Sequence, residues 1–121
     1  MRIVAFLLIL CLLLTYVGCS TLSVSKDMPL FLVVLGDKNG YINKTGKIVI
    51  KPQFDFAGEF SEGLAPVVVG YKWGYMDKTE QIVIEPQFFN ACSFSAGLAL
   101  VQVLRNQIME WGYIDKTGHY V

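Results

Sequence analysis

One feature constrains this chain more than any other: a long block of it returns, almost residue for residue, 34 positions later. Leu30–Phe54 lies over Leu64–Phe88 with Gly36 on Gly70, Lys38 on Lys72, Gly40 on Gly74 and Tyr41 on Tyr75. Ile48-Val49-Ile50 falls on Ile82-Val83-Ile84, and Pro52-Gln53-Phe54 on Pro86-Gln87-Phe88. The register continues from Phe60-Ser61 to Phe94-Ser95 and from Gly63-Leu64-Ala65 to Gly97-Leu98-Ala99. A third copy follows at an offset of 38, carrying Trp73-Gly74-Tyr75 onto Trp111-Gly112-Tyr113. Repetition at such a period means that each unit is one supersecondary element that buries its apolar face only by stacking on its neighbours.

The local pattern within a unit is that of strands. The runs Leu64–Val69, Trp73–Asp77 and Gln81–Ile84 are rich in β-branched and aromatic residues and too short for helices. A tight turn at Gly70-Tyr71-Lys72 joins the first two. Asp77-Lys78-Thr79 turns the chain into the third, in the manner of an Asx-opened turn closed by a left-handed residue. Gly46 and Gly118 occupy that closing position, but Glu80 replaces them in the middle copy, at a cost of about 1 kcal/mol if the backbone there has positive φ. Pro52 and Pro86 are expected to end the third strand, since they cannot donate to its ladder. The four extra residues of the third copy are expected in a longer hairpin loop around Leu104–Glu110. The unit is therefore a three-stranded antiparallel meander, and copies are expected to start near residues 30, 64 and 98. The fold class is all-β, a tandem array of meanders that is either open or a propeller-like arc. Closed propellers take at least four blades.

The ordered pieces Trp-Gly-Tyr, Asp-Lys-Thr-Gly, Pro-Gln-Phe and Phe-Ser-x-Gly-Leu-Ala together resemble the WG, or KWG, repeat of bacterial proteins, from about Leu30 to Val121. Asn39 departs from the pattern, standing where the first copy should have tryptophan. The third copy reaches Val121 inside its last strand, an atypical terminal copy or a truncated one. The resemblance implies a binding or structural repeat and brings no catalytic residues with it.

The N-terminus carries a different signal. Arg2 precedes an almost wholly apolar run from Ile3 to Val17, the proportions of a secretory signal peptide and short for a membrane span. Gly18-Cys19-Ser20 resembles the lipobox of bacterial lipoproteins, with Tyr16 where the family usually has leucine. That resemblance implies diacylation of Cys19 and an envelope-anchored product. The alternatives are a secreted protein or an uncleaved anchor. The expected organisation is a signal helix over residues 1–18, a tether over 19–29 and the repeat domain over 30–121. Cys11 would leave with the signal, so after processing Cys92 is the one thiol outside Cys19. It is expected to be a half-buried packing residue, and no internal disulfide is possible.

Ten basic and ten acidic residues balance, so a nucleic-acid binder is not indicated. No metal, cofactor or catalytic constellation is expected. His119 reads as a frayed edge residue. Glu59 and Glu62 read as solvated loop carboxylates. Lys44-Thr45 and Lys78-Thr79 lack the glycine-rich run of a phosphate loop. Trp73 and Trp111 recur once per unit beside a glycine, which predicts packing between units rather than ligand contact. On that reading Trp111→Ala costs about 3–5 kcal/mol. Phe54, Phe60, Phe88 and Phe94 are expected to form the inter-repeat core with Leu64 and Leu98. The function expected is a non-catalytic, envelope-tethered module binding a protein or glycan, with possible self-association through its end units. The alternative is a purely structural envelope protein. An aromatic cluster left exposed would favour binding, and complete burial of the two tryptophans would favour structure.

Overall fold

The computed structural model describes residues 28–121. The expected signal helix, Cys19 and the tether up to residue 27 lie outside the described residues.

Among the described residues there is no helix, and nine strands form three antiparallel sheets in tandem. The first sheet joins β1 (Phe31–Leu35), β2 (Lys38–Ile42) and β3 (Ile48–Phe54). The second joins β4 (Leu64–Val69), β5 (Lys72–Asp77) and β6 (Ile82–Phe88). The third joins β7 (Asn90–Ala91), β8 (Ala99–Arg105) and β9 (Ile108–Ile114). The third sheet is thus not a complete meander. Its β7 comes from the segment linking it to β6, and on the far side of β9 Tyr120 makes only a single bridge to Ile114. The same link occurs one unit earlier, where Ala57 bridges Val67.

Two-residue turns close the hairpins. Gly36 and Gly70 take the left-handed φ values of +66° and +68° that such primed turns require. In the third copy Asn106 and Gln107 both do so. The four extra residues do not lengthen the loop, contrary to expectation. They add two rungs, Leu104–Met109 and Arg105–Ile108, with the turn still two residues long. Adding two residues per strand preserves which face each side chain occupies. Each β2–β3-type connection is an Asx turn. The Oδ1 atoms of Asn43, Asp77 and Asp115 each accept from the amide and the hydroxyl of the threonine two residues on. Glu80 is left-handed at φ +66°, as are Gly46 and Gly118, so the middle copy carries the strain its sequence suggests.

The prolines do not end their strands. β3 and β6 run on to Phe54 and Phe88 because each proline sits in a bulge. Asn39 pairs with Phe54 and Tyr41 with Ile50, so Gly40 alone faces Lys51, Pro52 and Gln53. Trp73–Phe88 and Tyr75–Ile84 repeat this around Gly74 and Pro86. Within a bulge the missing proline N–H interrupts no ladder bond. The glycine is required by space, not by φ. A Cβ on Gly74 would lie 2.6 Å from the Ile84 carbonyl oxygen and 2.8 Å from the Pro86 nitrogen.

The core lies between sheets. One cluster holds Leu30, just before β1, with Tyr41 and Ile50 of the first sheet against Ala65, Val67 and Met76 of the second. The next holds Leu64, Tyr75, Ile84 and Phe88 against Ala91, Phe94, Ala99, Val101 and Ile114. These are the same positions one repeat apart. The middle sheet serves both, because strand side chains alternate: Tyr75 faces forward and Met76 backward, Leu64 forward and Ala65 backward. Phe54 and Phe60 are partly buried against the first cluster. Leu98 is only half-buried and outside both clusters, because the core it would join requires a further unit. An array of this kind is held by nearest-neighbour interfaces alone.

Candidate binding surfaces

Much of the repeat signature is consumed by these interfaces. The Tyr41 hydroxyl donates to the Gly58 carbonyl and the Tyr75 hydroxyl to the Cys92 carbonyl, both at 2.7 Å. Each ring meets the phenylalanine of the connecting loop, Phe60 at 4.7 Å and Phe94 at 4.9 Å between centroids. Burial pushes both phenols well above their ordinary pKa, and the Glu59 charge adds to this at Tyr41. Cys92 itself is exposed rather than half-buried; its backbone carbonyl is the part the interface uses.

Glu59 and Glu62 are exposed loop carboxylates, as expected, and each also accepts a backbone amide from a distant residue. Glu59 accepts from the Leu32 amide at 3.2 Å. Glu62 accepts from the Gly97 amide at 2.9 Å and pairs with Lys116 at 3.3 Å. Ser61 donates to the Phe94 carbonyl at 2.6 Å. These groups clip one unit to the next. His119 is exposed but not frayed. Its amide donates to the Asp115 carboxylate at 3.1 Å, and its Nδ1 lies 2.7 Å from the Thr117 hydroxyl. The Thr117 hydroxyl bond holds the Asp115 carboxyl below its ordinary pKa.

The tryptophans do not share one environment. Trp73 is half-buried and packs on the second core cluster. Asn39, its counterpart in the first unit, instead donates its side-chain amide to the Phe54 and Asp55 carbonyls. Trp111 is 51% exposed and Tyr113 53% exposed, against the expectation that Trp111 packs between units. The reason is positional. The face of β5 bearing Trp73 and Tyr75 is covered by the third sheet, whereas the equivalent face of β9 has no sheet against it among the described residues. Gly112 likewise lacks the proline backbone that crowds Gly74, and a Cβ there would come no nearer than 3.5 Å to the Tyr120 ring.

Two surfaces result. The first is a groove of about 350 Å³ lined by Asp55, Phe56, Val68, Gly70, Tyr71 and Trp73. Phe56 is 64% exposed and Tyr71 97% exposed, so two large rings flank the accessible part of Trp73. Asp55 at its rim forms an ion pair with Lys38, whose pKa that carboxylate raises. The second is a smaller hollow of about 190 Å³ at the β9 edge, where Trp111, Tyr113 and Tyr120 meet. Arg105 lies over the Tyr120 ring there at 4.9 Å. The sequence signal for Phe56 and Tyr71 is an aromatic residue outside the strands with no aromatic counterpart one repeat away, where Asn90 and Asp37 stand. Among the described residues no cluster of histidine, cysteine and carboxylate side chains is arranged to hold a metal.

Three sheets joined by two equivalent cores, with the signature residues recurring at each joint, define a tandem β-repeat protein. A family model described as the WG containing repeat matches residues 40–73 and 73–104, more than half of the chain, and the chain belongs to that family. Searches of curated proteins and of solved structures gave no significant match.

Proposed function

We propose that this chain is a non-catalytic binding module that holds a protein or glycan partner on exposed aromatic side chains. One observation carries the reading: Phe56, Tyr71 and the accessible part of Trp73 line a common groove instead of entering the core. Aromatic rings exposed together are costly to leave in water and are the usual anchors of recognition surfaces. The test is a screen of soluble glycans and extended peptides against the wild type and a Phe56→Ala/Tyr71→Ala variant. A ligand held by the wild type and bound at least about tenfold more weakly by the variant, the loss of about 1.4 kcal/mol, is the expected result. Unaltered thermal unfolding of the variant must accompany it. Binding indifferent to these rings, or no ligand at all, would favour the purely structural reading.

We infer further that the module is exported and held at the cell envelope. Arg2, the apolar run Ile3–Val17 and Gly18-Cys19 support this, since acyl chains on Cys19 would contribute about 0.8 kcal/mol per buried methylene. Intact mass of the protein from a membrane fraction is expected to begin at Cys19 and include a diacylglycerol group. A lipid-free mass would remove the lipoprotein reading.

A further inference from the structure

The groove beside Trp73 forms where the first joint of the array departs from the second. Counting 34 residues on, Asn39 becomes Trp73, Asp55 becomes Phe89 and Phe56 becomes Asn90, and Tyr71 stands where the first hairpin has Asp37. These four departures meet in one place. The Asn39 side-chain amide donates to the Asp55 carbonyl at 3.0 Å, and the Phe56 carbonyl accepts from the Val68 amide at 2.9 Å. The backbone that carries Asp55 and Phe56 is thus fixed before any ligand arrives, which lowers the cost of binding. At the second joint Lys72 lies over the Phe89 ring at 3.1 Å. An apolar ring capped by a lysine therefore occupies the position that holds a carboxylate here.

The surroundings narrow the class of ligand. Ala57 bridges Val67, the Gly58 amide donates to the Pro66 carbonyl at 2.8 Å, and Val68 and Val69 pair with Trp73 and Lys72. β4 has a partner on both sides along the groove, so an extended peptide finds no open row of amides and carbonyls to add to. What the groove offers is ring faces and a carboxylate. Phe56, Tyr71 and the accessible part of Trp73 line it, and the negative face of an aromatic ring attracts the slightly positive hydrogens of C–H bonds. Lys38 engages Asp55 through Oδ1, and that carboxylate is still 62% exposed. The pair carries no net charge and gives a charged polymer no attraction. Its carboxylate nonetheless accepts from hydroxyl donors in charge-assisted bonds. A body with C–H faces and hydroxyls around its rim is a pyranose with equatorial substituents. An axial hydroxyl would set a polar group against a ring, and an equatorial linkage keeps successive sugars flat along the groove.

We propose that this groove binds a neutral β-linked glycan of equatorially substituted hexopyranoses, of glucose or N-acetylglucosamine type. The sugar stacks on Phe56, Tyr71 and Trp73, and one of its hydroxyls donates to Asp55. This rests on reading the groove as the binding site and names the class of ligand it takes.

The experiment titrates cellotetraose and tetra-N-acetylchitotetraose into the full chain carrying Trp111→Phe, so that Trp73 is the one indole reporting. A β-linked mannotetraose, whose axial hydroxyl interrupts one face, is the control. A saturable change in Trp73 emission with at least one of the first two sugars is expected, and mannotetraose should bind at least about tenfold more weakly. Which of the two sugars binds distinguishes the glucose from the N-acetylglucosamine source. Adding Phe56→Ala/Tyr71→Ala should weaken binding at least about tenfold and Asp55→Asn about fivefold, with thermal unfolding unchanged in each. Sugar binding that survives loss of both rings, or mannotetraose bound equally well, would overturn the proposal. No sugar response, with extended peptides bound through the same rings, would overturn the glycan and keep the groove. No ligand of either class would overturn this proposal and the binding reading together.

Discussion

Phe88→Ala is expected to lower the free energy of unfolding by about 3–5 kcal/mol, while Trp111→Ala lowers it by only about 1–2 kcal/mol. Phe88 is fully buried between the second and third sheets, with its ring 6.3 Å from that of Tyr75. Alanine there removes the packing of both sheets and leaves a cavity that a strand bulge cannot collapse into. Trp111, the larger ring, is half in water already and belongs to neither core cluster. For a domain of this size the first change should lower Tm by roughly 12 °C or more, and thermal unfolding followed by circular dichroism reads both. Equal losses for the two variants would mean that Trp111 packs as Phe88 does.

The second large effect concerns the glycine of the same motif. Gly74→Val forces a branched side chain against backbone atoms at 2.6 and 2.8 Å. The neighbours are a carbonyl and a proline ring nitrogen, held by the register on both sides, so neither can swing away as a flexible side chain would. Either the bulge opens or β6 separates from β5, and in both cases the joint to the third sheet is lost with it. Overpacking of this kind costs about 3 kcal/mol or more. Gly112 has identical sequence neighbours in Trp111 and Tyr113, yet among the described residues a Cβ there would meet only the Tyr120 ring, at 3.5 Å.

The strands, their order within each meander and the left-handed residue at Glu80 were legible in the sequence, because they depend on local chemistry repeated three times. What a repeat cannot show is which of its copies has a neighbour. Trp73 and Trp111 are each followed by glycine and tyrosine, but the first is covered by a following sheet and the second, among the described residues, is not. The same blind spot hides the partners of Glu59 and Glu62, which are exposed as their glycine and serine neighbours suggest but also accept amides from distant residues. Glu62 meets Gly97, 35 residues on, which is about one repeat away. A carboxylate in a linking loop of a stacked array should therefore be compared with the loop one period later. Pro52 and Pro86 lie inside their strands, not at the ends, for a different reason. Proline stops a regular ladder, but the glycine directly across from it permits a bulge in which proline removes nothing, and that pairing is visible only once the register is known.

The same Trp-Gly-Tyr motif thus requires glycine at Gly74, where the backbone of β6 crowds it, and tolerates a side chain at Gly112, where a Cβ would meet the Tyr120 ring at 3.5 Å. Urea unfolding of the wild type, Gly74→Val and Gly112→Val side by side separates the two positions. A loss of about 3 kcal/mol or more is expected for Gly74→Val and a change within about 0.5 kcal/mol for Gly112→Val. Comparable losses at both positions would show that Gly112 is crowded as Gly74 is, and would contradict this reading of the motif.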